Sequence, residues 1–170
     1  MDTETIIDHI IEREGGFVHD PDDRGGATRY GVTRETLSEY RGEPASVEDV
    51  RQLTEAEARQ IYRKWYVEGP GYDAVEDGAL RALLVDSAVQ HGPSRATRWL
   101  QRAAGAKADG VFGPQTAEAV SSRPADQLYA GVLRRRAEAY GQLITEDPSQ
   151  ARFAHGWMRR LGEFIGEEVA

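Results

Sequence analysis

Apolar positions recur at helical spacing through most of the chain. Ile6, Ile7, Ile10 and Ile11 form one stripe over residues 2–13, with Asp2 placed to cap the first turn. Thr33 caps a short helix through Tyr40, and Ser46-Val47-Glu48-Asp49 starts another. Thr54-Glu55-Ala56-Glu57 reads as a capping box for a helix carrying Ile61, Tyr62, Trp65 and Tyr66 to the breaker Gly69-Pro70-Gly71. From Gly78, the residues Leu80, Leu83, Leu84, Val85, Ala88 and Val89 fill more than one face, which predicts a helix buried in the middle of the protein. A further helix spans Arg95 to Ala104 with Trp99 and Leu100 inward, and Pro114 suits a first helical position after the turn Asp109–Pro114. The longest helix opens at Pro124 and runs to about Thr145 through Leu128, Val132, Leu133, Tyr140 and Leu143. Phe153, Trp157, Leu161, Phe164 and Ile165 predict a final amphipathic helix packed on the body.

Strand character is confined to Arg29-Tyr30-Gly31-Val32, expected as one arm of a small hairpin with Phe17-Val18. The pattern therefore predicts a mainly α protein, a helical bundle with one small β-hairpin. Residues 69–78, rich in glycine, proline and acids, mark a seam between a first part, 1–75, and a second, 76–170, packed as one compact unit. Two polar features sit on the predicted helices. Arg134-Arg135-Arg136 points in several directions and is expected to make surface ion pairs. Asp86 and Gln90, four apart on the buried helix, must either be satisfied internally or line a cavity, and are expected to face a groove.

Composition narrows the picture. With 29 acidic and 21 basic residues, the 170-residue chain carries a formal charge of −8, which argues against nucleic acid as a partner because phosphate binding needs a basic face. It has no cysteine, hence no disulfide, thiol nucleophile or cysteine-based zinc site. No apolar run approaches a membrane span, so no membrane insertion is expected. The start, MDTETIIDHII, carries acids where a signal peptide carries bases, so synthesis in the cytoplasm is expected. A monomer is expected as well.

Candidate chemistry gathers in Glu14 to Thr33, EGGFVHDPDDRGGATRYGVT. Glu14 ends the first helix, where the negative end of the helix dipole disfavours a charged carboxylate, as a general acid requires. Gly15-Gly16 lets the backbone turn sharply after it, and Asp20-Pro21-Asp22-Asp23 with Gly25-Gly26 reads as a turn-rich loop that can return a second carboxylate to a wetter setting. Two carboxyl groups in unlike environments are the minimal equipment for cutting a glycosidic bond; the bland alternative is a capped helix followed by a solvated turn. A calcium loop is rejected because Arg24 and Gly31 occupy ligand positions, and His9, His19, His91 and His155 lack metal-ligand spacing. No metal and no cofactor are expected, and no serine nucleophile elbow or phosphate loop is present.

The run Glu14-Gly15-Gly16-Phe17, Asp20-Pro21, Asp23, Gly25-Gly26, Thr28, Tyr30-Gly31-Val32-Thr33 resembles the signature of the lysozyme-like N-acetylmuramidases of glycoside hydrolase family 108. Ala88-Val89-Gln90-His91-Gly92-Pro93, Trp99-Leu100-Gln101-Arg102 and Ala108-Asp109-Gly110-Val111-Phe112-Gly113-Pro114-Gln115-Thr116 resemble the peptidoglycan-binding segment that accompanies that module. The resemblance implies a lysozyme-like fold whose hairpin borders an active-site cleft, and a peptidoglycan hydrolase acting on the N-acetylmuramic acid to N-acetylglucosamine β-1,4 bond. It implies Glu14 as catalytic acid with Asp23 and Thr28 beside it. Phe17 stands where tyrosine is more usual, Gln90-His91 replaces Asn-Ser, and the Asp23 to Thr28 gap is one residue shorter than in phage lysozymes. Tyr30 is expected to stack on a sugar, and Asp86 and Gln90 to bind substrate. Peptidoglycan glycan strands are then the partner, reached in the periplasm through a phage holin or a secretion system, and the acidic charge suits a thin Gram-negative wall. A lytic transglycosylase and a non-catalytic wall-binding module are the alternatives.

Overall fold

The computed structural model describes residues 1–18 and 26–166. They form two compact units: Asp2–Val67, and Glu68 onward together with Met1. The first unit thus ends shortly before the glycine- and proline-rich stretch that the sequence suggests as a seam. The stretch itself belongs to the second unit, where the Tyr72 hydroxyl donates to the Pro93 carbonyl at 3.1 Å and meets the Thr97 hydroxyl at 2.9 Å.

In the first unit α1 (Thr3–Glu14) buries Ile6, Ile7, Ile10 and Ile11, the stripe read from spacing, and Asp2 caps it by accepting from the Thr5 amide at 2.8 Å. The caps at Thr33, Ser46 and Thr54 start α2 (Arg34–Arg41), α3 (Val47–Gln52) and α4 (Glu55–Tyr62), but the reciprocal capping box expected at Thr54 forms instead at Ser46, with Asp49. Two further details differ. The helix after Thr54 widens at Arg63–Glu68 into a π-helix, which rotates Tyr66 relative to Tyr62 and leaves their rings 5.6 Å apart. The hairpin is not Arg29–Val32 against Phe17–Val18. Instead β1 (Thr28–Arg29) pairs antiparallel with β2 (Val32–Thr33), and Tyr30 and Gly31 make the turn at φ 53° and 73°. Two consecutive positive-φ residues are what a two-residue hairpin turn with the strand's own twist demands. Val18 joins as an isolated bridge to Thr28.

In the second unit α5 (Gly78–His91) is covered by α6 (Pro93–Ala104) and α8 (Ala125–Glu146), and buries Leu80, Leu83, Leu84, Val85 and Ala88. Between them lie α7 (Pro114–Ser121) and the loop before it. Gln101 fastens that loop. Its amide nitrogen donates to Asp109 Oδ1, the Val111 carbonyl and Thr116 Oγ1 at 2.8, 2.9 and 3.0 Å, and its oxygen accepts from the Gly110 amide at 2.9 Å. The most distinctive motif residues of this segment are therefore a loop staple. The final helix α9 (Ala154–Gly162) is shorter than its pattern suggests and follows a 3-10 segment at Pro148–Phe153. Leu161 and Phe164 are buried, but Phe153 and Ile165 remain exposed.

His91, at the end of α5, lies between the rings of Trp99 and Tyr140 at 5.0 and 5.1 Å, and its Nε2 is buried without a hydrogen-bond partner among the described residues. Burial, and then the nearby positive charges of Arg136 and Arg95, push its pKa down to about 4. The unfolded chain holds its histidines near an ordinary value of about 6.5, so the unfolded state binds the extra proton first as pH falls. The stability that neutral His91 confers is full above that value and is lost on descent toward pH 4. His91→Phe is expected to lose less Tm than the wild type between pH 6.5 and 4, measured by thermal unfolding; parallel curves would refute this.

Candidate active site

Glu14 is the last residue of α1 and is half-buried. The chain leaves it through Gly15 at φ 74°, ψ −163°, a conformation essentially confined to glycine, while the Gly15 amide still closes the helix on the Ile11 carbonyl at 3.2 Å. The segment from Gly15 to Val18 is tied to the hairpin. Val18 and Thr28 exchange two amide–carbonyl bonds of 2.8 Å, and the Tyr30 amide donates to the Gly15 carbonyl at 3.0 Å. The hairpin turn in turn rests on Glu14: a β-carbon on Gly31 would stand 3.0 Å from Glu14 Cβ and Cγ and 2.6 Å from the Tyr62 hydroxyl. That hydroxyl donates to the Tyr30 carbonyl at 2.7 Å. The stem of the carboxylate is thus packed between the helix end, the hairpin turn and a buried tyrosine.

Gly31→Ala adds a side chain at positive φ against these atoms. The expected loss is about 2 kcal/mol of stability in chemical denaturation, because the left-handed backbone and the overlap both oppose it. An unchanged midpoint would show that the contact yields freely.

The surroundings are aromatic and charged. Tyr66 is held above its ordinary pKa by burial and then by the negative charges of Glu39 and Glu14, so it stays a protonated hydroxyl within the field of both carboxylates. The Arg51 guanidinium lies 4.6 Å above the Phe17 ring, that of Arg29 lies 5.2 Å from the Tyr30 ring centre, and Arg29 also donates to the Arg51 carbonyl. Thr28 and Tyr30 are both placed by the hairpin, Thr28 in β1 and Tyr30 in the turn. Asp23 lies outside the described residues. The sequence marks Tyr62 and Tyr66 only as residues of the helix after Thr54, and gives Glu39 no role. The spacing of four between Tyr62 and Tyr66 was a usable signal, whereas the π-helix that sets their angle has no signature in composition.

Asp86 and Gln90 belong to the second unit, and the structure corrects the expectation that they face a groove. Asp86 is 2% exposed. Its carboxylate accepts from Arg136 at 2.6 Å and from Arg160 Nη2 at 2.9 Å, with Arg160 Nε at 3.2 Å. The Gln90 carbonyl accepts from Arg136 at 2.7 Å and from the Tyr140 hydroxyl. A polar pair on a helix covered from both sides is satisfied internally, which was the other alternative. Arg136 corrects the reading of the arginine triplet as well: Arg134 is a surface residue 3.9 Å from Glu138, but Arg136 has no exposed surface.

Residues 7–92 match the family described as Glycosyl hydrolase 108, and residues 95–162 match the one described as Predicted Peptidoglycan domain. No curated protein matches the chain. Among solved structures, that of SagA from Brucella abortus is similar, with a TM-score of 0.81 and 32% sequence identity, over 95% of this chain and 90% of that one. The first match runs through α5, which by packing belongs to the second unit.

Proposed function

Because the chain belongs to the glycosyl hydrolase 108 family, and is thus a mainly helical, lysozyme-like glycoside hydrolase acting on peptidoglycan, we propose that it cuts the β-1,4 bond between N-acetylmuramic acid and N-acetylglucosamine with Glu14 as general acid. The observation that carries this reading is the fixed position of Glu14, at the negative end of α1, turned out by a glycine-only backbone and braced by Gly31. The packed stem leaves the carboxyl few directions in which to present a proton. Glu14 donates to the leaving oxygen. Asp23 and Thr28 are proposed to position the attacking water or to stabilise the oxocarbenium-like transition state, and Tyr30 to stack on a sugar. The proposed place of action is the periplasmic wall, reached through a holin or a secretion system.

Clearing of a suspension of purified Gram-negative peptidoglycan tests the reading. The wild type is expected to lower turbidity and release soluble fragments. A folded protein that sediments with the wall but clears nothing would leave only a binding function.

A further inference from the structure

The second unit holds a groove of about 350 Å³ between α6 and α8 that the catalytic reading does not use. Arg95, Arg98 and Arg102 line one side, spaced three and four apart and therefore on one face of α6. All three are exposed, and the side chains of Arg95 and Arg102 make no hydrogen bond or ion pair with any described residue. Arg98 makes one long bond, to the Asp109 carbonyl at 3.4 Å. The buried Trp99 and the half-buried Leu143 give the groove an apolar lining. On the α8 side stands one acid, Glu146, which accepts from Gln142 at 2.7 Å. In a chain of charge −8, three arginines against one glutamate are a local reversal of sign.

We propose that this groove binds the peptide stem of peptidoglycan through its carboxylates. The proposal rests on the wall-directed reading above and names the part of the wall that the second unit grips. A γ-linked glutamate in the stem leaves its α-carboxylate free, the stem ends in another carboxylate, and a diamino acid adds an ammonium group. Three guanidinium forks and one carboxylate complement that set of charges, since arginine pairs with carboxylates in a planar, two-pronged way. Lengths agree too. Arg95 and Arg102 are seven positions apart, about 10 Å along a helix, and three extended peptide residues also cover about 10 Å. The sugar backbone, by contrast, offers neutral hydroxyl and acetamido groups that give three arginines little to hold.

The test is calorimetric titration of the full chain with the tripeptide alanyl-γ-glutamyl-diaminopimelate. Arg95→Glu/Arg102→Glu is compared with Arg134→Glu, which changes charge on an exposed site outside the groove. The wild type and Arg134→Glu are expected to bind alike, and the double variant roughly tenfold or more weakly, having lost two charge-assisted contacts. The same tripeptide with its glutamate carboxylate amidated should also bind more weakly. Equal binding by the double variant, or by the amidated peptide, would overturn the proposal, as would equally strong competition by inorganic phosphate, which would mark a general anion site. Circular dichroism of each variant shows that it is folded. Wall clearing by the wild type, measured alongside, separates the two readings: clearing without tripeptide binding sinks the groove alone, and tripeptide binding without clearing sinks the hydrolase reading alone.

Discussion

Glu14→Gln is expected to slow wall cleavage by about 10²–10⁴-fold, the usual contribution of a positioned general acid, while the variant still folds and sediments with peptidoglycan. Glutamine preserves the shape of the side chain, so the packing of Cβ and Cγ against the hairpin turn at Gly31 survives. What it removes is the transferable proton. The comparison therefore separates chemistry from scaffold, which a Glu14→Ala variant would not, because the bracing contact would be lost with the carboxyl. Initial rates of turbidity loss give the number. A variant within about threefold of the wild type has lost too little transition-state stabilisation for Glu14 to be the acid.

The second large effect lies in the other unit. Asp86→Asn is expected to destabilise it by about 3–5 kcal/mol, read from the denaturation midpoint, because it leaves buried cationic charge uncompensated. Arg136 has no exposed surface, and one of its terminal nitrogens has no hydrogen-bond partner among the described residues. Its charge is answered by Asp86, which Arg160 shares. Asparagine keeps the shape and half the acceptors but not the charge. Arg136→Met should cost less, since Asp86 retains Arg160 and a methionine fills the same space. The pair also settles the residue's role: a loss of stability of this size makes Asp86 a structural anchor joining α5, α8 and α9. Weaker wall binding at unchanged stability would return it to a substrate groove.

Much of this was legible in the chain. Helix starts were read from Asp2, Thr33, Ser46 and Thr54, because a capping side chain is a local event that the sequence states outright. The end of α1 at Glu14 was legible for the same reason, since only glycine accepts the conformation that Gly15 adopts. The family resemblance, carried by two motifs in order, pointed to the matches found at residues 7–92 and 95–162. The hairpin was misplaced because Tyr30 looks like a strand residue and gives no sign of a positive φ. Arg136 was misplaced because charge outweighed position in the reading. Leu128, Val132, Arg136 and Tyr140 follow one another at intervals of four and are all buried, so periodicity alone puts the arginine on the inner stripe. The motif residues Gln101, Asp109, Gly110 and Thr116 suggested wall-binding chemistry, but the hydrogen bonds among them are those of a loop held in place.

The central claim is that this chain is a muramidase with Glu14 as its acid, and the most direct test is mass spectrometry of the soluble fragments released from purified peptidoglycan. Reducing N-acetylmuramic acid ends, formed by the wild type and not by Glu14→Gln, are the predicted result. Anhydro ends would contradict it and identify a lytic transglycosylase, and reducing N-acetylglucosamine ends would place the cut at the other glycosidic bond.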